Sequence, residues 1–150
     1  MDKLNSLKCA EVGVTCVNGN LRKASRLVSQ IYDEFLRPSG LKATQFGLLM
    51  MIRGFGEATV TKLAGWAVME RTTFTRNLKL LEKKGYVKIE PGQDQRERVV
   101  SLADKGSDAI LSGLPLWEKA QQHVAEIIGE DKKNRIVKEL SSIVTLLSKT

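Results

Sequence analysis

The first strong periodicity in the chain runs through Val14, Val17, Leu21, Ala24, Val28, Ile31 and Phe35. Alternating steps of three and four place all seven on one stripe of a helix. Arg22, Lys23 and Arg26 lie off that stripe. Arg37-Pro38-Ser39-Gly40 should end the helix, because proline cannot continue it and glycine permits a sharp exit. A second helix is expected from about Thr44 to Arg53. Phe46, Leu48, Leu49, Met50, Met51 and Ile52 make it apolar almost all round, which predicts burial. Gly54-Phe55-Gly56 breaks it. A short third helix follows, capped by Thr59 or Thr61, with Val60, Leu63, Ala64 and Ala67 facing inward.

The stretch from 68 to 102 forms one unit. A fourth helix spans about Glu70 to Lys84, with Phe74, Leu78 and Leu81 as its buried side. Thr72, Thr75, Arg76, Lys79 and Lys83 share the opposite face, and three of them are cationic. Threonine is a poor helix former for a bare solvated face. It suits close approach to a phosphate backbone or a thymine methyl. Gly85 ends the helix. Tyr86–Glu90 and Arg98–Leu102 then read as two strands, with Pro91-Gly92 opening the hairpin and a charged tip from Gln93 to Arg98. A helix followed at once by a cationic β-wing suits a body that sets one helix in the major groove of duplex DNA and one tip over the minor groove.

A fifth helix starts near Asp104. Ile110, Leu114, Trp117, Gln121, Val124 and Ile128 form its stripe, with one polar member. Pro115 lies inside and should kink or split it. Gly129 separates a last helix with the stripe Ile136, Leu140, Ile143 and Leu147. The compact middle of the chain has little surface left to cover the long stripes at both ends. That imbalance implies a partner, and a second copy of the chain is the simplest one.

Composition adds direction. With 150 residues and 42% hydrophobic content, this is one folded domain with a real core. Net charge is +7, which suits a polyanionic partner. Residues 53–100 carry 10 Lys/Arg against 6 Asp/Glu, whereas residues 101–150 carry 7 of each. Positive charge therefore sits with the helix and the hairpin. No apolar run has the length of a membrane span, and the N-terminus lacks a signal-peptide core. Two cysteines without an export signal point to the cytoplasm. One histidine (His123), no nucleophile elbow, no phosphate-binding glycine loop and no metal-ligand spacing argue against an enzyme, a metal site or any other cofactor.

Read in order, LKATQFGLL at 41–49, ERTTFTRNLKLL at 70–81, DQRERVVSL at 94–102 and Lys105-Gly106 resemble the MarR (multiple antibiotic resistance regulator) family of bacterial winged-helix transcription factors. No one of these pieces is specific; the ordered set is. The resemblance implies a mainly α fold with a small β-wing, an obligate homodimer joined through its N- and C-terminal helices. It divides the single domain, 1–150, into dimerisation helices (1–40 and 104–150) and a winged helix-turn-helix lobe (41–103). The recognition helix falls at about 70–84 and the wing at about 86–102.

The resemblance also assigns roles. Arg71, Thr72, Thr73, Thr75 and Arg76, with Lys79 on the same cationic face, are the expected contacts to bases or phosphates of a near-palindromic operator. Arg96 is the expected minor-groove residue, held by Asp94 through a charge-assisted hydrogen bond, with Arg98 assisting. Many such proteins are repressors released by a small aromatic anion or an oxidant. Arg22 and Arg26 are candidate cations for such a ligand, and Trp66 lies close to where the lobes should meet. Cys9 and Cys16 are the redox candidates; on one continuous helix their sulfurs would share a face about 10.5 Å apart in rise, too far to bond within one chain. Three positions depart from the family pattern. Val68 stands where most relatives have glycine in the turn before the recognition helix, and Glu70 stands where most have a capping aspartate. Ala103 replaces a usual threonine, which leaves Asp104 to cap the fifth helix.

Overall fold

The computed structural model describes residues 6–149. Seven helices and three short strands follow in the order α1 (Ser6–Thr15), α2 (Val17–Leu36), α3 (Ala43–Phe55), β1 (Ala58–Thr59), α4 (Val60–Trp66), α5 (Arg71–Lys83), β2 (Val87–Pro91), β3 (Arg98–Leu102), α6 (Asp104–Ile128) and α7 (Glu130–Leu147). None of these helices is long and apolar enough to cross a membrane.

The core belongs to the middle of the chain. Leu36, Leu49, Ile52, Leu63, Phe74, Leu78, Leu81 and Val100 are fully buried side chains. Each contributes about 1.5–3 kcal/mol by leaving water. The threonine at position 59 caps α4, its hydroxyl accepting from the Lys62 amide at 3.2 Å. The strands form an antiparallel sheet in the order β1-β3-β2, with Ala58 opposite Val100 and Val87 opposite Leu102. Strand β1 has only two residues, too short for a period-two pattern, and it is absent from the sequence reading.

Several expectations need correction. The first stripe lies on two helices, because α1 ends at Thr15 and α2 begins at Val17. Cys16 sits at the junction in extended backbone, and its sulfur accepts from the Gly19 amide at 3.4 Å. Cys9 is thus on α1 and Cys16 at the break, and the two do not share one continuous helix. The end of that stretch is as expected: α2 stops at Leu36, Arg37–Ser39 form a 3-10 turn, and Gly40 exits with φ 74°. The α3 helix runs through Gly54 and Phe55 to Gly56. It is not buried all round, since Met50 is exposed. Pro115 does not split α6, which is one helix of 25 residues. Asp104 does not cap it; the N-cap position is Ala103, with no side-chain bond.

Helix α6 packs along α2 and α3 and carries α7. The polar member of its stripe has a reason. Gln121 accepts a 2.7 Å hydrogen bond from the Tyr32 hydroxyl on α2, and burial pushes the Tyr32 phenol up from its usual pKa. By contrast α7 has no buried residue, and α2 buries only Leu36. Val14, Val17, Leu21 and Val28 on the first stripe are exposed, as are Ile136, Leu140 and Leu147 on the last.

Candidate nucleic-acid interface

Helix α5 exists because one side of it is core. Phe74, Leu78 and Leu81 recur at four and three residues and are fully buried. The remaining arc is left to solvent. Arg71, Thr72, Thr75, Arg76 and Lys79 line a shallow groove of about 430 Å³. Thr73 stands outside that lining; each residue turns a helix by about 100°, which carries Thr73 past the groove's far edge. The Thr75 hydroxyl donates to the Arg71 carbonyl at 2.7 Å. Its proton is therefore engaged with its own helix, and its methyl and oxygen lone pairs remain for a ligand.

The ends of α5 are built differently. At the start, Glu70 occupies the N-cap position without a side-chain bond to the helix. Val68 precedes it with φ 53°, the one non-glycine residue of positive φ among those described. A β-branched side chain is strained there. The turn thus demands the conformation that glycine adopts freely, and the departure at this position is visible as strain. At the far end, Gly85 takes φ 78°, its amide donates to the Glu82 carbonyl, and the Tyr86 amide donates to the Leu81 carbonyl. This paired closure, with Tyr86 and Leu81 both buried, is a Schellman motif.

The wing tip is held by its own main chain. The Asp94 carboxylate accepts from the backbone amide of Arg96 at 2.9 Å, so its grip is on the main chain rather than on the guanidinium. The Glu97 amide donates to the Asp94 carbonyl at 2.9 Å, and Gly92 donates to the Glu97 carbonyl at 3.1 Å. Arg98 turns back, its Nη1 donating to the carbonyls of Gln95 and Glu97. Arg98 braces the tip, while Arg96 is exposed on it. Among the described residues the ion pairs are Lys8–Glu11 and Lys133–Glu130. Among the described residues, Arg71, Arg76, Lys79 and Arg96 therefore have no carboxylate partner. Unneutralised cations on one helix face and one hairpin tip form a surface for a polyanion.

The other candidates are not gathered. Trp66 is 65% exposed and meets Phe55 edge-on at 5.4 Å, with Lys62 over the same Phe55 ring. Arg22 and Arg26 are exposed on α2. A second cleft, about 550 Å³, lies between α6 and α7 against Trp117, Gln121, Glu126, Glu130 and Lys133, and it includes none of these three. Both cysteines are free thiols, Cys9 exposed and Cys16 half-buried. Sequence reasoning missed the part that Lys105 plays. Its ammonium donates to the Lys84 carbonyl at 2.7 Å, a contact 21 residues apart that no periodicity announces.

A helix-turn-helix from α4 and α5, followed by a β2–β3 wing, defines a winged-helix DNA-binding protein. Comparison with known proteins agrees. The MarR family model matches residues 39–97. The chain is 30% identical to the HTH-type transcriptional regulator YwoH of Bacillus subtilis over 116 residues, covering 75% of this chain and 83% of YwoH. It is 34% identical to the M. tuberculosis transcriptional regulator MosR, solved in complex with DNA, with a TM-score of 0.76 over 88% of this chain and 98% of that one. E. coli MarR complexed with operator DNA shares the fold at a TM-score of 0.78 and 21% identity. The protein belongs to the MarR family and is a DNA-binding transcriptional regulator, in a family whose members are not enzymes.

Proposed function

We propose that the protein is a homodimeric repressor that reads a near-palindromic operator and lets go when a small aromatic anion binds. One observation carries the DNA part of this reading. The groove on α5 is lined by three cations and two threonines, and none of the cations is neutralised by an ion pair among the described residues. Arg71, Arg76 and Lys79 supply the charge that dominates affinity, while Arg76 and Thr72 are placed to meet base edges. Thr75 offers a methyl, and Thr73 contacts the backbone at the rim. Arg96 enters the minor groove, Asp94 sets the turn that presents it, and Arg98 stiffens that turn. MosR and MarR were each solved with DNA, which supports the same use here.

Dimerisation is supported by the uncovered apolar positions of α1, α2 and α7. In this reading residues 1–40 and 104–150 join two copies, and residues 41–103 form each reading lobe. Two-fold symmetry then matches the two half-sites of the operator. Release by an aromatic anion follows the family resemblance, with Arg22 and Arg26 as the available cations.

The test is a gel-shift competition on promoter fragments from the protein's own locus. A near-palindromic site should outcompete random duplex by at least ~10³-fold at fixed salt, and an aromatic acid should dissociate the complex. Equal competition by random duplex would defeat the operator-specific reading. Failure of every phenolic and aromatic acid to release DNA would remove the effector from it.

A further inference from the structure

We infer that Lys105 is a positioning residue for DNA recognition, reaching from the first turn of α6 to hold the C-terminal end of α5. The inference rests on α5 being the helix that reads DNA.

The last carbonyls of a helix lack partners within it. The Schellman closure of α5 satisfies those of Leu81 and Glu82 through the amides of Tyr86 and Gly85. The carbonyl of Lys84, the C-cap residue, accepts from the Lys105 ammonium at 2.7 Å. The same ammonium lies 5.3 Å from the centre of the Tyr86 ring. Three favourable terms thus meet on one atom: a charge-assisted hydrogen bond, a cation over an aromatic face, and a cation at the negative end of a helix.

The contact is held from beneath. The Ala103 amide donates to the Tyr86 carbonyl at 3.0 Å. A methyl group at Gly106 would fall 2.1 Å from that carbonyl oxygen, so the α6 backbone lies directly against it. Only glycine permits that approach. The Lys105 stem passes over Gly85, where an added methyl would meet its Cδ at 3.6 Å. At the other end of the Tyr86 side chain, the hydroxyl reaches the exit turn of α2, 3.8 Å from where a methyl on Gly40 would stand. One buried tyrosine and one lysine therefore join the end of α5, the start of α6 and the end of α2. The last two are the helices expected to carry the dimer contacts. Lys105 lies on the α6 side of this junction, 21 residues beyond the carbonyl it holds.

When the tie is lost, α5 samples angles that do not fit the groove, and apparent affinity falls by the fraction of time spent in them. Base contacts depend on that angle, whereas diffuse phosphate attraction does not. The effect should therefore be a loss of discrimination and not a general weakening.

The experiment compares full-length wild type with Lys105→Met, Lys105→Arg and Arg76→Ala. Operator and random duplex are titrated across a salt series, and amide exchange is followed at Gly85 and Tyr86. Methionine keeps the stem over Tyr86 and removes the charge. Lys105→Met should lose about 5- to 10-fold on operator and under about 2-fold on random duplex, keep the wild-type salt slope, and exchange faster at the two amides. Lys105→Arg should restore operator affinity. An equal loss on both duplexes, or a salt slope reduced by about one phosphate, would make Lys105 a direct phosphate contact and overturn the inference. Unchanged operator affinity in Lys105→Met beside a weakened Arg76→Ala would overturn it while leaving α5 as the reading helix. Unchanged affinity in Arg76→Ala would overturn both.

Discussion

Helices α5 and α7 are both amphipathic, and each has one face that the chain does not complete. In α5 the apolar side is finished: Phe74, Leu78 and Leu81 are fully buried, and what remains open is cationic. In α7 the apolar side itself is open, with Ile136, Val137, Leu140 and Val144 exposed and no residue buried. The two faces therefore ask for different partners. One needs a polyanion and binds in a salt-dependent way. The other needs apolar surface, and salt should affect it little. Under the proposed function, a substitution on α5 should change what is read, and one on α7 should change whether two readers stand together.

The largest effect should come from Leu140→Arg. Leu140 is 40% exposed in the single chain, so the lobe should fold normally. Sedimentation should show a monomer, and operator affinity should fall by at least ~100-fold once the two half-sites are bound independently. A variant that stays dimeric would show that α7 does not face the second copy. Arg96→Ala tests the other face on a smaller scale. We expect about a 10-fold loss of affinity and a salt slope lowered by about one unit, with dimerisation unchanged. Unaltered affinity would remove the wing from the interface. The smallest change is Val68→Gly. Relief of the positive φ should stabilise the protein by about 1 kcal/mol, raising Tm by roughly 2–4 °C in a thermal melt. A lower Tm would mean that the valine's own contacts outweigh the strain.

The long periodic elements were legible in the sequence because burial imposes its spacing on them. The buried triad of α5 and its cationic arc follow from the residue order alone, as do both strands of the wing. The break at Cys16 was not legible, because Val14 and Val17 keep the step of three across it while the backbone leaves the helix between them. The split allowed at Pro115 does not occur: proline removes one backbone donor, yet the packing of α6 on α2 and α3 keeps the helix continuous. The two-residue β1 leaves no pattern to read, and its place is set by pairing with Val99 and Val100. At the wing tip the sequence showed which charges are present but not which bonds they make. Asp94 grips an amide and Arg98 grips two carbonyls, and only the folded tip distinguishes Arg96 as the free cation.

The middle position of β3 bears on how this regulator can change. Pinned by β1 on one flank and β2 on the other, that strand cannot slide without breaking two ladders at once. The hairpin end beyond it carries no such constraint. Side chains can change between Gly92 and Glu97 while the ladders below stay in step, provided that the bonds among Gly92, Asp94, Arg96 and Glu97 are kept. Under the proposed function, reach toward the duplex is thereby separable from the scaffold, and changes at a few tip residues should alter it without refolding the lobe.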